Sequence, residues 1–511
     1  MQSVCADLVL QMGWERGAGP GRAGPGRAGQ GLTQRLSACL RQAISERVLE
    51  PGSRLPASRD LARELQVARN TVSNAYEQLR IEGYVQARVG SGTFVADAAP
   101  EQLLHAPRLS GRQRALASEP YPQPLVRLAD RAQRVLAQAS AAPQQWGAFM
   151  PGVPDVSEFP REVYARILNR LWRHAPPQML TYGTQAHVTA LQKALAAHLR
   201  VARSVQCQPE QILITEGVHQ AIDLAARVLV NPGEHVWMEE PGYWGIANVL
   251  RMSEGIAIHG MKVDGEGMVL EPQAPVPSLI CTTPSHQYPL GSVMSLARRK
   301  ALLAYARKVG AWIVEDDYDS EFRFSGSPVP SMQGLELNAP VIYVGTFSKT
   351  LFPGLRVGYM VLPQGLVEPM QRMHAEMYRE GHQITHQALA ELMEGGHYAA
   401  HIRRMRVLYA RRREHLLQLV QRYLGDEFMP GHDSQAGLHL VLPLPAHVDD
   451  QLLTKRLSEA GVLARPLSQY YVGPDARKGL LLGYASVSEA QMQLAFFTLV
   501  QVLRKQLAPT A

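Results

Sequence analysis

The sequence predicts a chain of two unlike parts, a small helical module closed by a β-hairpin and a large α/β domain behind it. Three observations carry this. At 511 residues the chain exceeds one ordinary domain and can bury more than one core. Between residues 58 and 95, apolar positions recur at helical spacing and then give way to short strand-like runs around glycines. From about residue 146, short continuous apolar runs alternate with helical periods, as in buried strands covered on both faces.

In chain order, residues 1–31 come first and include G-W-E-R-G-A-G-P-G-R-A-G-P-G-R-A-G-Q-G, which cannot build a core. They read as a disordered Gly/Pro/Arg-rich leader or a start codon placed too early, with an arginine-bearing arm on DNA as the alternative. The opening V-C-A-D-L-V-L lacks a basic region and contains Asp7, so no signal peptide is expected.

Residues 32–96 read as a winged helix-turn-helix. Ser58 is expected to cap a helix with Asp60 in its first turn, and Leu61 and Leu65 mark its buried face. After a turn at Gln66–Ala68, Val72, Ala75, Tyr76 and Leu79 define a second helix. Its N-terminal end presents Arg69, Asn70, Thr71, Ser73 and Asn74, as a recognition helix presents donors and acceptors to DNA. V-Q-A-R-V-G-S-G-T-F-V then gives two strands around a Gly90-Ser91-Gly92 turn, a wing. Residues 31–97 hold nine arginines, no lysine and seven acids, a net of only +2 within a chain of +7. The motif makes the case for DNA; the charge only permits it.

Residues 97–145 turn to Ala, Pro, Gln and Arg and read as a flexible linker, with one short helix in L-V-R-L-A-D-R-A-Q-R-V-L-A-Q. Residues 146–511 form the large domain, with strands expected at 211–215, 235–238, 279–281, 311–314 and 341–344. Ligands of such sheets sit beyond the carboxyl ends of the strands. Cys5, Cys39, Cys207 and Cys281 show no metal or redox spacing and suit free thiols in a reducing cytoplasm. No metal site is expected. No run approaches 18 apolar residues, so no membrane span is expected either.

The chemistry gathers in I-Y-V-G-T-F-S-K-T-L-F-P-G-L-R-V-G-Y, residues 342–359. Lys349 can form a Schiff base with an aldehyde cofactor, Thr346 and Ser348 can donate to phosphate oxygens, and Arg356 can clamp phosphate. Upstream, Asp316 ends an apolar run in V-E-D-D-Y-D-S and can hold a pyridinium nitrogen protonated. Together these read as a pyridoxal-phosphate site. The turn Glu216-Gly217-Val218-His219 opens a helix whose N-terminus can receive the phosphate.

The stretch P-G-S-R-L-P-A-S-R-D-L-A-R-E-L-Q-V-A-R-N-T-V-S-N-A-Y resembles the DNA-binding domain of the GntR family. Its fusion to an aminotransferase-like half resembles the MocR/GabR subfamily of bacterial transcription regulators, over residues 32–505. The resemblance implies a fold-type I pyridoxal-phosphate transferase domain with a mixed, seven-stranded-type sheet and a small C-terminal α+β part. It makes Lys349 the Schiff-base lysine and Asp316 the partner of the ring nitrogen, with Asp317 or Asp319 as alternatives. Tyr318 would donate to the ring's phenolic oxygen, and Tyr243 of E-P-G-Y would stack on the ring or pack in the core. Val218 and His219 depart from the small hydroxyl residues common at the phosphate turn; His219 is a base or a packed histidine. In T-P-S-H-Q-Y-P-L-G, His286 or Gln287 would face the ring oxygen, and Tyr182 would reach the phosphate of a neighbouring subunit in a homodimer.

The carboxylate-binding arginine of aminotransferases is missing: Leu481, in L-L-L-G-Y-A, stands about where it belongs. Arg465 is the nearest replacement, or a surface residue. The implied function is a cytoplasmic regulator that binds double-stranded DNA as a dimer and senses an amine, an amino acid or pyridoxal phosphate itself. Arg59, Arg69, Thr71, Ser73, Asn74 and Gly92 are the expected DNA contacts. A working aminotransferase with an accessory DNA-binding domain is the alternative.

Overall fold

A computed structural model describes residues 31–88, 91–96, 127–137, 145–182, 188–253, 255–326, 330–379, 381–431 and 435–507. The leader 1–30, Gly90 of the wing turn and most of the 97–145 segment lie outside the described residues. The chain forms two compact units, residues 1–126 and 127–511.

The first unit is built from α1 (Leu32–Ser45), α2 (Ser58–Leu65), α3 (Arg69–Ile81) and the antiparallel pair β1 (Val85–Arg88) and β2 (Gly92–Val95). Leu36, Leu40 and Ala43 of α1, Leu61 and Leu65 of α2, and Val72, Ala75 and Leu79 of α3 are fully buried in one core. Each set follows the helical period, so the three helices close on a single apolar centre. Ser58 is not the cap. The extended Ala57 precedes the helix and its carbonyl accepts from the Asp60 and Leu61 amides, which makes Ser58 the first helical residue. Gln66 ends α2 in the left-handed region, at φ 55°, and turns the chain toward α3. Arg41 grips both carboxylate oxygens of Glu82, tying α1 to the end of α3.

In the second unit the short helix expected between 125 and 138 spans Asp130–Ala137 and lies against the helix Trp244–Met252. The main sheet has eight strands in the order β3-β10-β9-β8-β7-β4-β5-β6. These are β3 (Ile212–Thr215), β4 (His235–Glu240), β5 (Ala257–Asp264), β6 (Gly267–Met268), β7 (Pro277–Thr282), β8 (Trp312–Asp317), β9 (Val341–Thr346) and β10 (Gly358–Val361). The strands β5, β4, β7, β8 and β9 run parallel, while β10 pairs antiparallel with both β3 and β9. The sheet is thus mixed. Successive residues pack on opposite faces: Met238, Cys281 and Val314 against Ile222 and Ala225, but Trp237, Ile280 and Ile313 against Leu302 and Ala306. That alternation requires helices on both sides. A second, antiparallel sheet of β11 (His439–Pro443), β13 (Gly479–Gly483) and β12 (Arg465–Pro466) forms the C-terminal part with long helices.

Candidate functional site

One edge of the main sheet collects the chemistry. The chain leaves β3, β4, β7, β8 and β9 at this edge, where the following loops carry Gly217, Tyr243, Tyr288, Tyr318 and Lys349. The strand β10 enters from the same edge because it is antiparallel, and so Arg356, just before it, joins the group. These residues line a cavity of about 340 Å³, within the range of small-molecule sites.

Lys349 reaches into the cavity and its Nζ donates to the Gly152 carbonyl at 2.8 Å. Burial lowers the pKa of this amine, against the opposing pull of Asp319 and Asp316. Of the acidic run, only Asp316 lines the cavity. Asp317 faces away into a buried ion pair with Arg203 at 2.6 Å and a bond from Tyr343. Glu315 accepts from the amides of Met332 and Gln333. The Asp316 carboxyl is buried and its pKa is pushed up to about 8, chiefly by burial and secondly by Asp317. Its Oδ1 has no hydrogen-bond partner.

The cavity lining also includes a cation and a helix N-terminus. Gly217, at φ 93°, precedes the helix Val218–Leu229, whose N-terminal residues Val218 and His219 line the cavity with Arg356 and Ser348. Space there is reserved for backbone: a Cβ on Gly358 would fall 2.8 Å from Gly217 Cα. Arg356, itself left-handed at φ 55°, donates to the Glu216 carbonyl at 2.9 Å. The Ser348 amide donates to Thr346 Oγ1 at 3.1 Å.

Tyr243 caps the cavity beside Trp244, with its hydroxyl 3.0 Å from His219 Nε2. Burial, then Arg356 and Lys349, lower the His219 pKa. Arg465 lines the cavity from the C-terminal part, with Tyr470 and Tyr288. Tyr182 is not in the cavity; it is exposed, under the Arg379 guanidinium at 4.8 Å. His286 and Gln287 do not line the cavity either. His286 is turned to Asp319, and Gln287 donates to the Pro241 and Tyr288 carbonyls. The cavity also takes in Tyr288, within T-P-S-H-Q-Y-P-L-G, Trp244, directly after E-P-G-Y, and Tyr470 and Gly152.

On the first unit, Arg59, Arg69, Ser73, Asn74 and Gly92 are exposed and Thr71 is half-buried. Arg88 on the wing and Arg54, which bridges to Phe94 from the segment before α2, are exposed beside them. Arg88 lies over the Phe94 ring at 4.8 Å, and Arg54 sits where a Gly92 Cβ would point.

The bacterial regulatory proteins, gntR family, match residues 32–95, and aminotransferase class I and II matches residues 155–496. The probable rhizopine catabolism regulatory protein MocR of Rhizobium meliloti is 38% identical over 463 residues, covering 89% of this chain and 90% of its own. This chain belongs to the MocR-like branch of the GntR family. Other regulators match this MocR-like chain over most of their length. The uncharacterized HTH-type transcriptional regulator YhdI of Bacillus subtilis is 32% identical over 94% of this chain and 96% of its own. The pyridoxine biosynthesis transcriptional regulator PdxR of Corynebacterium glutamicum is 30% identical over 89% and 92%. Among solved structures, the kynurenine aminotransferase of Pyrococcus horikoshii is 27% identical with a TM-score of 0.64, covering 75% of this MocR-like chain and 96% of its own. The MocR-like chain described here is a DNA-binding transcription regulator with an aminotransferase-like domain.

Proposed function

We propose that this regulator holds pyridoxal phosphate on Lys349 and reports an amine or amino-acid effector to its DNA-binding unit. The Asp316 carboxyl carries the reading, because Asp316 lines the cavity and its buried Oδ1 has no hydrogen-bond partner. A pyridinium N–H would satisfy it and hold the carboxylate ionised. The Gly217 turn, Ser348, Thr346 and Arg356 supply the donors and charge for a phosphate at the far end. Tyr243 offers a ring face, and Lys349 an amine whose pKa burial lowers. The bound cofactor would supply an electrophilic carbon that an incoming amine can capture from Lys349.

Arg465 would orient a carboxylate on that amine. To shift DNA occupancy, the effector must bind one conformer better than the other. The regulator acts as a homodimer in the bacterial cytoplasm in this reading, with Arg59, Arg69, Thr71, Ser73, Asn74 and Gly92 on DNA. The full set of Lys349, Asp316, Tyr318 and Arg356 also favours a second reading, slow transamination by the same site.

One experiment separates them. The visible absorption of the purified protein is followed while amino acids, other amines and polyamines are added. A band that Lys349→Ala abolishes, and that one amine shifts and holds, supports a sensor. Steady appearance of a keto acid means an enzyme. No cofactor band in the wild-type protein defeats both.

A further inference from the structure

Behind the cavity, three buried side chains meet at one atom. The Tyr318 hydroxyl lies 2.9 Å from Nδ1 of His286. The same nitrogen lies 3.0 and 3.1 Å from the two carboxylate oxygens of Asp319. His286 is 3% exposed and Asp319 is 1%, so water does not compete. The imidazole is also held in place from outside. A Cβ on Gly437 would fall 2.0 Å from its Cε1, and one on Gly291 3.3 Å from its Nε2.

A ring nitrogen has a single in-plane position, occupied by a proton or a lone pair. Tyr318 and Asp319 compete for it, and Asp319 prevails in either protonation state. As a carboxylate it takes the Nδ1–H in a charge-assisted bond. As an acid it donates its own proton to the lone pair. Both ways the Tyr318 oxygen is left without an acceptor at His286, and its proton turns to the cavity that Tyr318 lines.

We infer that His286 and Asp319 are positioning residues, which fix the Tyr318 hydroxyl as a donor into the cavity, toward the phenolic oxygen of bound pyridoxal phosphate. The inference rests on the cofactor reading above. It explains why a histidine of the proline-rich loop points away from the cavity. The other titratable groups around the imidazole are His439, Tyr288, Arg413 and, across Asp319, Lys349 and Asp317. Asp316 and Glu239 act on Tyr318 itself; burial pushes His439 down to about 3 and Tyr288 well above its usual value, so both stay neutral near pH 7.

The test is the pH titration of the visible absorption of protein reconstituted with pyridoxal phosphate. Tyr318→Phe removes the donor to the phenolic oxygen, which disfavours its anionic form and moves the midpoint upward. Asp319→Asn and His286→Gln are expected to move it the same way by at least half as much. Adding Asp319→Asn to Tyr318→Phe should move it no further, and Asp319→Glu, which keeps the carboxylate, should restore the wild-type midpoint. Additive shifts, or a wild-type midpoint in His286→Gln, overturn the inference while leaving cofactor binding intact. A wild-type protein with no cofactor band overturns the inference together with the reading beneath it. Where Asp319→Asn does not fold, the His286→Gln and Asp319→Glu titrations decide.

Discussion

Arg465 stands directly across the β12–β13 ladder from Leu481. The guanidinium missing from one strand is present on its neighbour, and it lines the same cavity. If it binds the effector's carboxylate, Arg465→Ala loses a charge-assisted bond of about 1.5–3 kcal/mol. Carboxylate-bearing amines should then bind roughly ten- to hundred-fold more weakly, and amines without a carboxylate should be unaffected. Titrations of the cofactor absorption with both kinds of amine check this, and an equal loss for both would remove Arg465 from the carboxylate site.

Asp316 gives a pH-dependent stability with a definite sign. Its pKa in the cofactor-free fold is raised to about 8, above the roughly 3.9 of an unfolded aspartate. The native state therefore binds more protons than the unfolded chain between those values, and this group's ionisation costs more stability as pH rises from 4 to 8. Asp316→Asn should raise the melting temperature of cofactor-free protein at pH 8 and lose that advantage near pH 4. In the presence of pyridoxal phosphate the order at pH 8 should reverse, since the variant cannot pair with a pyridinium. Calorimetry at the two pH values, with and without cofactor, reads all four cases.

Gly152 sits at φ 70°, and a Cβ there would lie 3.2 Å from Lys349 Nζ. Gly152→Ala adds backbone strain of about 1–2 kcal/mol and crowds the amine at the site of covalent capture. Slower and less complete loading of pyridoxal phosphate is expected in stopped-flow absorption, with Lys349 still present and the fold retained. Loading at the wild-type rate would mean the amine leaves Gly152 freely.

Arg69 opens α3 with its side chain exposed. Arg69→Ala should weaken promoter binding. If the contact is to phosphate, the slope of log affinity against log salt should fall by about 1. If it is to a base edge, the slope should hold while sequence preference relaxes. Gel-shift titrations over a salt series on cognate and scrambled DNA separate these outcomes.

The parts legible from sequence were those written in local periodicity. The strands β3, β4, β7, β8 and β9 were visible because both faces of each are buried, which leaves continuous apolar runs. The Lys349 segment was legible because its donors lie within one turn and one strand. What stayed hidden was non-local. The two-residue β12 has no period, so nothing in the sequence announced that Arg465 faces Leu481. The sequence puts His286 or Gln287 at the ring oxygen, but His286 has a partner 33 positions away, Asp319, that claims its nitrogen. Ser58 had the right chemistry for a cap, yet the first helical bonds are made by the Ala57 carbonyl.

The close approach of Gly358 to Gly217 leaves no room for a side chain where β10 meets the β3 turn. In the proposed reading the phosphate end combines this main chain with the Thr346, Ser348 and Arg356 side chains, while the effector end would be formed by Arg465 on β12 and Tyr470 shortly after it. The two ends can diverge independently. Descendants of such a domain can trade one signal molecule for another by a few substitutions near β12, with the inherited handle intact. A designer seeking a biosensor for a new amine has the same freedom.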